Sequence, residues 1–227
     1  KATRCLAEVF AITPDESLCR YRVNLPDDLS ERVGMMFEAA GAFGGAACRA
    51  GLRRPLVTVH YRGRTSRTRK DLPELLMREV CDKLIGQGCS VIVVDHGSVS
   101  RLIDDRRVFS FMRLVAEGGN ISPGDSIAML AGVMRRSVLM IGVDSGPLHL
   151  AGALNCRALG VWTRHHPVHY YDLADYVEHL VPSGHSRMAA GQMSAQYFSD
   201  RYSFRVYDNL RLELPDIVLK RLDLQGG

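Results

Sequence analysis

The sequence predicts an α/β protein built on a Rossmann-like, doubly wound parallel sheet. Two observations carry that expectation. Short apolar runs rich in β-branched residues recur along the chain, and helix-patterned segments of about ten to fifteen residues alternate with them. A strand buried on both faces reads as continuously apolar, because a parallel sheet carries its crossover helices on both sides.

In chain order, residues 1–52 read as mostly helical, a linker or N-terminal extension packing on a domain that fills 53–227. Within it "SERVGMMFEAAGAFGGAACRAGL" has Ser30 as a plausible N-cap, with Gly41, Gly44 and Gly45 weakening its middle. "PLVTVHY" (55–61) is the first strand. The helix over 72–88 follows, with Leu75, Leu76, Val80, Leu84 and Ile85 at spacings of three and four and Gly86 and Gly88 ending it. "SVIVVD" (90–95) is the second strand and "RVFSF" (107–111) a weaker third. A helix over 124–136 carries Ile127, Met129, Leu130, Val133 and Met134. "SVLMIGV" (137–143) is a buried strand, followed by a helix and then "RALGVW" (157–162). "YVEHLV" (176–181) suits a short edge strand, 183–200 a loop or weak helix, and "PDIVLKRLDL" (215–224) a closing helix with Pro215 in its first turn.

The 227 residues suffice for a sizeable core. No segment reaches the roughly 18 apolar residues a membrane-spanning helix needs, and "KATRCLAEVF" lacks the layout of a signal peptide. With no initiator Met, the chain is consistent with a piece of a longer protein. A net charge of +4 does not by itself point to nucleic acid. The six cysteines form no C-x-x-C pair, which suggests reduced, mostly buried thiols and a cytoplasmic location.

In such a sheet, ligands sit beyond the carboxyl ends of the strands. Two loops there carry chemistry. "HYRGRTSRTRKDLP" offers Arg62, Arg64, Arg67, Arg69 and Lys70, the hydroxyls of Thr65, Ser66 and Thr68, and Gly63 for close backbone approach. Cations and hydroxyls at a helix entrance suit a pyrophosphate; the alternative is a solvated basic loop. In "VDSGPLHL", Asp144 ends a strand, Gly146 allows a tight turn, and Pro147 suits the first helical position. The first-turn N–H groups and the helix dipole favour phosphate or a sugar hydroxyl there; the alternative is that Asp144 or Ser145 simply caps the helix.

"DSGPLHLAGAL" closely resembles the D-[ST]-G-x-x-H-L-A-x-A signature of the lipopolysaccharide heptosyltransferase family of glycosyltransferases. Upstream, "TVHYRGRTSRTRKDLP" resembles that family's strand, H-P-G-type loop and K-x-W-P segment, which puts Lys70 at the family's lysine. "SVIVVDHGS" and "ISPGDSIAMLAGVMRRSVLMIG" resemble its next strand and turn, then a helix and strand. The resemblance covers roughly residues 55–170. It implies the C-terminal, donor-binding half of a two-domain GT-B glycosyltransferase, which transfers a sugar from a nucleoside-diphosphate donor to the hydroxyl of a saccharide or other acceptor.

On that resemblance the donor and its phosphates would meet Arg62, Gly63, Arg64, Thr65, Ser66, Lys70, Asp144, Ser145, Gly146 and Pro147. His149 would pack or hydrogen-bond within the motif, and Asp95, His96, Gly97 and Ser98 would approach the nucleotide. Cations and a helix N-terminus would take the place of a metal, so no cofactor is expected. The acceptor-binding N-terminal domain, with its base, would lie outside this chain. The alternative is a non-catalytic nucleotide-sugar-binding module that needs a partner for the base. Departures from the family are Tyr61 in place of its Pro, Leu72 in place of its Trp, and "VWTRHHPVHYY" in place of F-G-P-T-x-P.

His165, His166, His169 and Asp172 show no tidy ligand spacing and read as a cleft-lining loop. Asp104 and Asp105, beside Arg101, Arg106 and Arg107, read as a surface ion cluster. Nucleic-acid binding through residues 62–70 ranks below glycosyl transfer, since only Tyr61 interleaves with the basic residues.

Overall fold

A computed structural model describes residues 23–63, 70–95, 100–118, 123–163, 167, 176–183 and 203–223. Fourteen elements run in the order α1 (Leu29–Phe43), α2 (Gly45–Leu52), β1 (Leu56–His60), α3 (Glu74–Gly86), β2 (Ser90–Val93), β3 (Val108–Ser110), α4 (Phe111–Glu117), α5 (Pro123–Arg136), β4 (Ser137–Val143), α6 (Gly146–Ala153), β5 (Ala158–Val161), β6 (Val177–Pro182), β7 (Ser203–Tyr207) and α7 (Leu210–Asp223). All seven strands pair in parallel, in the order β3-β2-β1-β4-β5-β6-β7. This is the doubly wound Rossmann-like sheet that the apolar runs predict.

Side chains alternate across the sheet into two cores. On one side Val57, Val59, Leu139 and Ile141 meet Leu76, Met77, Val80 and Leu84 of α3 and Leu214 and Val218 of α7. On the other, Ile92, Phe109, Met140 and Trp162 meet Val33 and Met36 of α1, Met129 and Val133 of α5, and Leu148 and Ala151 of α6. Trp162 donates its indole N–H to His179 Nδ1 (2.9 Å), and its carbonyl accepts from the Tyr207 hydroxyl (2.8 Å).

Several local expectations shift. Asp28, not Ser30, precedes the first helix, which breaks at Gly44 where Gly45 takes φ 76°. Leu75 is 68% exposed, because at about 100° per residue it points away from the stripe formed by residues 76, 77, 80, 81 and 84. The strand at β6 is interior rather than an edge, since β7 pairs with it from Glu178↔Ser203 to Pro182↔Tyr207. Glu178, buried beneath that pairing, is held by Arg205 (3.1 Å) and by Arg221 of α7. The closing helix starts five residues before Pro215. Glu213 Oε1 accepts from the Asp208 and Asn209 amides (3.0 and 2.7 Å), a cap that outweighs the one donor lost at Pro215. Most of 183–200 lies outside the described residues.

The 104–105 pair is a backbone anchor more than an ion cluster. Asp104 Oδ1 accepts from the amides of Arg106, Arg107 and Val108, each at 2.9 Å, and so fixes the entry to β3. Asp105, at φ 54°, pairs with Arg113. Burial works to raise the Asp104 pKa, but the three amides and the Arg106 charge outweigh it and hold it below the ordinary aspartate value. A depressed folded-state pKa gives stability that is present above the unfolded value of about 4 and lost as pH falls through the folded one. Asp104→Ala is therefore expected to be less stable at pH 7 and to lose less stability on acidification below about pH 4. Denaturation midpoints across pH check this; parallel curves for the two proteins would contradict it.

At Gly51 an added Cβ would stand 2.3 Å from the Arg106 carbonyl oxygen and 2.7 Å from the Phe109 ring. The obstacle is backbone and cannot swing aside. Gly51→Ala is expected to cost about 2 kcal/mol, overpacking less the helical gain of alanine, read from the urea midpoint.

Candidate functional site

The chain turns left from β1 to β2 and β3, and right from β4 to β5, β6 and β7. The helices after these two strands, α3 and α6, lie on opposite faces. Between the carboxyl ends of β1 and β4 the connections therefore part, which makes the crevice where doubly wound sheets bind ligands. The two loops singled out by sequence leave the sheet at these two strand ends, where His60 stands opposite Gly142.

Their side chains meet. Lys70 Nζ lies 2.6 Å from Asp144 Oδ2 and 3.5 Å from the Asp144 carbonyl oxygen. The Lys70 side chain is 21% exposed and that of Asp144 9%, so the pair is partly desolvated yet open on the lysine side. Ser145 Oγ lies 2.8 Å from Nδ1 of His60 and 3.0 Å from the Val143 carbonyl oxygen. His60 is 1% exposed. Sequence reasoning left it out of the site; its signal was its place as the last residue of β1, the loop histidine of the resemblance.

No side-chain hydrogen bond caps α6. Ser145 is the N-cap, with φ −164° and ψ 167°, but its side chain makes no cap bond and turns toward β1 instead. Gly146 is the first helical residue and Pro147 the second, one position later than expected. Gly146 does not adopt the left-handed conformation that a glycine turn requires, and a Cβ built on it meets nothing within 4 Å among the described residues. Pro147 has no N–H and the Leu148 amide donates to the Ser145 carbonyl (3.1 Å), so of the first-turn amides of α6 that of Gly146 is the one without a partner among the described residues. Half-buried His149 lies one turn in and is engaged by its neighbours; its amide donates to the Ser145 carbonyl (3.3 Å).

The ends of the basic loop are clamped. The Gly63 amide donates to Asp71 Oδ1 (2.8 Å) and the Leu72 amide to the Tyr61 carbonyl (2.9 Å). Arg62 lies over the Tyr61 ring and pairs with Glu74, whose other oxygen accepts from the Arg101 amide (3.0 Å). Tyr61 is buried and hydrogen-bonds Ser100 (2.5 Å); burial pushes its phenol up, against the lowering effect of that bond. Leu72 is buried as well. Arg62 is thus engaged in bracing the loop, and Lys70 is the cation of this loop that the described residues place at the crevice. Arg64, Thr65 and Ser66 lie outside the described residues, as do His96, Gly97 and Ser98. Asp95, at the end of the β2 segment, accepts from the Ser110 hydroxyl (3.0 Å).

Among the described residues no group of three or more His, Cys, Asp or Glu could hold a metal ion, and His165, His166, His169 and Asp172 lie outside them. No described helix is long and apolar enough to cross a membrane. Cys48, Cys81, Cys89 and Cys156 are free thiols, the first three buried, and burial pushes Cys81 up to about 12.

Lys70 and the start of α6, at the switch point of a doubly wound sheet, form an arrangement that can receive an anion. The sequence profile of glycosyltransferase family 9 (heptosyltransferase) matches residues 30–194, and the chain belongs to that family. Among solved structures it is similar to a glycosyl transferase family 9 protein from Veillonella parvula DSM 2008, at 12% identity and a TM-score of 0.55, over 76% of this chain and 45% of that one. It is also similar to E. coli ADP-heptose lps heptosyltransferase II, at 13% identity and a TM-score of 0.47, over 70% of this chain and 44% of that one. The chain thus spans less than half the length of either. No curated protein sequence matches it significantly.

Proposed function

We propose that this chain supplies the donor-binding half of a glycosyl transfer, in which a sugar passes from a nucleoside diphosphate to an acceptor hydroxyl. The observation that carries the proposal is the meeting of Lys70 and Asp144 across β1 and β4, beside the Gly146 start of α6. As the glycosidic bond breaks, the sugar becomes oxocarbenium-like and the departing diphosphate gains negative charge. A preorganised ammonium and a helix N-terminus stabilise that charge without rearranging at the moment of transfer. In this reading Lys70 and the head of α6 do what a divalent cation does in metal-dependent transferases. In the same reading residues 53–227 form the nucleotide-sugar-binding domain, with residues 1–52 as a linker or N-terminal extension to it.

The described ionisable groups nearest the crevice are already engaged: Asp144 by Lys70, His60 by Ser145, and Asp95 by Ser110. On the family resemblance the base that activates the acceptor is assigned to a partner domain, which also accommodates the second reading, a binding module that depends on another chain. The free thiols suit a reducing, cytoplasmic setting.

The test is calorimetric titration of the full chain with UDP-, GDP- and ADP-sugars. Binding of at least one, weakened in Lys70→Ala, supports the reading. Binding of none, or binding indifferent to Lys70, defeats it.

A further inference from the structure

A serine hydroxyl has one hydrogen to give and two lone pairs to receive. For Ser145 the destination of that hydrogen can be worked out. Oγ has two neighbours, the Val143 carbonyl oxygen at 3.0 Å and His60 Nδ1 at 2.8 Å. The carbonyl can only accept. If the hydrogen goes to the carbonyl, Nδ1 must carry a proton and donate it to Oγ. If the hydrogen goes to Nδ1, His60 holds its proton on Nε2. In both arrangements the serine's hydrogen is used within the protein, and the hydroxyl can offer a ligand only a lone pair.

We propose that Ser145 is a hydrogen-bond acceptor for a hydroxyl of the bound donor and not a ligand of its phosphates, with His60 as the positioning residue that holds it so. The proposal rests on the donor-site reading above and divides the motif's work. Ionised diphosphate oxygens offer only lone pairs, so against Ser145 Oγ they would meet lone pair with lone pair; they suit Lys70 and the Gly146 amide instead. A hydroxyl has the hydrogen that Ser145 lacks a partner for. Position agrees with this division. Ser145 is half-buried at the mouth of the crevice, and its side chain faces β1 rather than the first turn of α6, where it would have capped the helix amides. His60 is buried at the end of β1, packed in place by the sheet, and cannot follow a rotating hydroxyl.

The hydroxyl can belong to the transferred sugar or to the ribose of the nucleoside, and the experiment separates them. Wild type, Ser145→Ala and Ser145→Thr are titrated at pH 8 with the nucleotide sugar that binds, with its nucleoside diphosphate, and with the 2′- and 3′-deoxy forms of that diphosphate. If the sugar supplies the hydroxyl, Ser145→Ala weakens the nucleotide sugar about tenfold and leaves the diphosphate unchanged. If the ribose supplies it, both weaken in Ser145→Ala, and one deoxy diphosphate binds wild type and variant alike. Ser145→Thr, which keeps the hydroxyl, stays within about threefold of wild type.

A loss that persists equally with the diphosphate and both deoxy forms assigns Ser145 to phosphate and overturns the proposal, while leaving the donor site standing. So does unchanged binding of every ligand. Failure of wild type to bind any nucleotide sugar removes the donor site and this inference together. For His60, the readout is the preference for the hydroxyl-bearing ligand over the one lacking it. His60→Leu loses that preference, and His60→Asn, whose amide reaches the place of Nδ1, retains it. A His60→Leu protein that folds and keeps the full preference removes His60 from the account.

Discussion

Replacing Lys70 with alanine is expected to weaken nucleotide-sugar binding by about two orders of magnitude, the size of a charge-assisted contact to phosphate. The same change is expected to lower the stability of the fold by about 3 kcal/mol, the lower end of the range for breaking a buried pair. The two losses have different origins. Binding falls because the diphosphate loses its ammonium. Stability falls because the side chain of Asp144, 9% exposed, loses the ammonium paired with it. Combining Lys70→Met with Asp144→Asn separates them, since with both charges gone the fold is expected to recover to within about 1 kcal/mol of wild type. Donor binding stays lost. Titration calorimetry and urea denaturation on the three proteins read both effects, and a double variant that binds like wild type would show that Lys70 serves structure alone.

Gly146 should give the opposite signature, a large effect on binding with a small one on stability. Among the described residues nothing occupies the space in front of its Cα, and its φ is one that other residues adopt. The one local penalty is Pro147, which disfavours helical conformation in a preceding residue that has a Cβ. Gly146→Ala is therefore expected to cost no more than about 1 kcal/mol, and the double change with Pro147→Ala to remove even that. Donor affinity is expected to fall at least about thirtyfold in both, because the new methyl takes the space from which a phosphate oxygen would reach the Gly146 amide. Unchanged affinity in the double variant would place the diphosphate elsewhere.

How far the sequence was legible follows from which forces were local. β1 and β4 are apolar on both faces, so their composition announces them, and the switch point follows from strand order. β7 was hidden, because an edge strand with Arg205 and a half-exposed Val206 lacks the continuous apolar signature. The start of α7 was misplaced because Pro215 is a strong local signal, whereas its rival, Glu213 reaching back to two amides, shows only in three dimensions. The site divides in the same way. Lys70, Asp144 and Gly146 could be singled out from residue type and motif. Pairings such as Lys70 with Asp144, Arg62 with Glu74 and His60 with Ser145 join residues distant in sequence or turn on side-chain direction, and neither is written in spacing.

The clamps on the basic loop bear on how such a protein can change over time. Gly63 and Lys70 flank the insert, and the bonds that fix its ends belong to Tyr61, Asp71 and Leu72 outside it. Replacing or lengthening the residues between them removes neither a donor nor an acceptor of these bonds. Lys70 is delivered to Asp144 from its own side of the clamp. On the proposed reading, substitutions within residues 64–69 can thus try new specificities while the clamp and the Lys70–Asp144 pair keep their own partners.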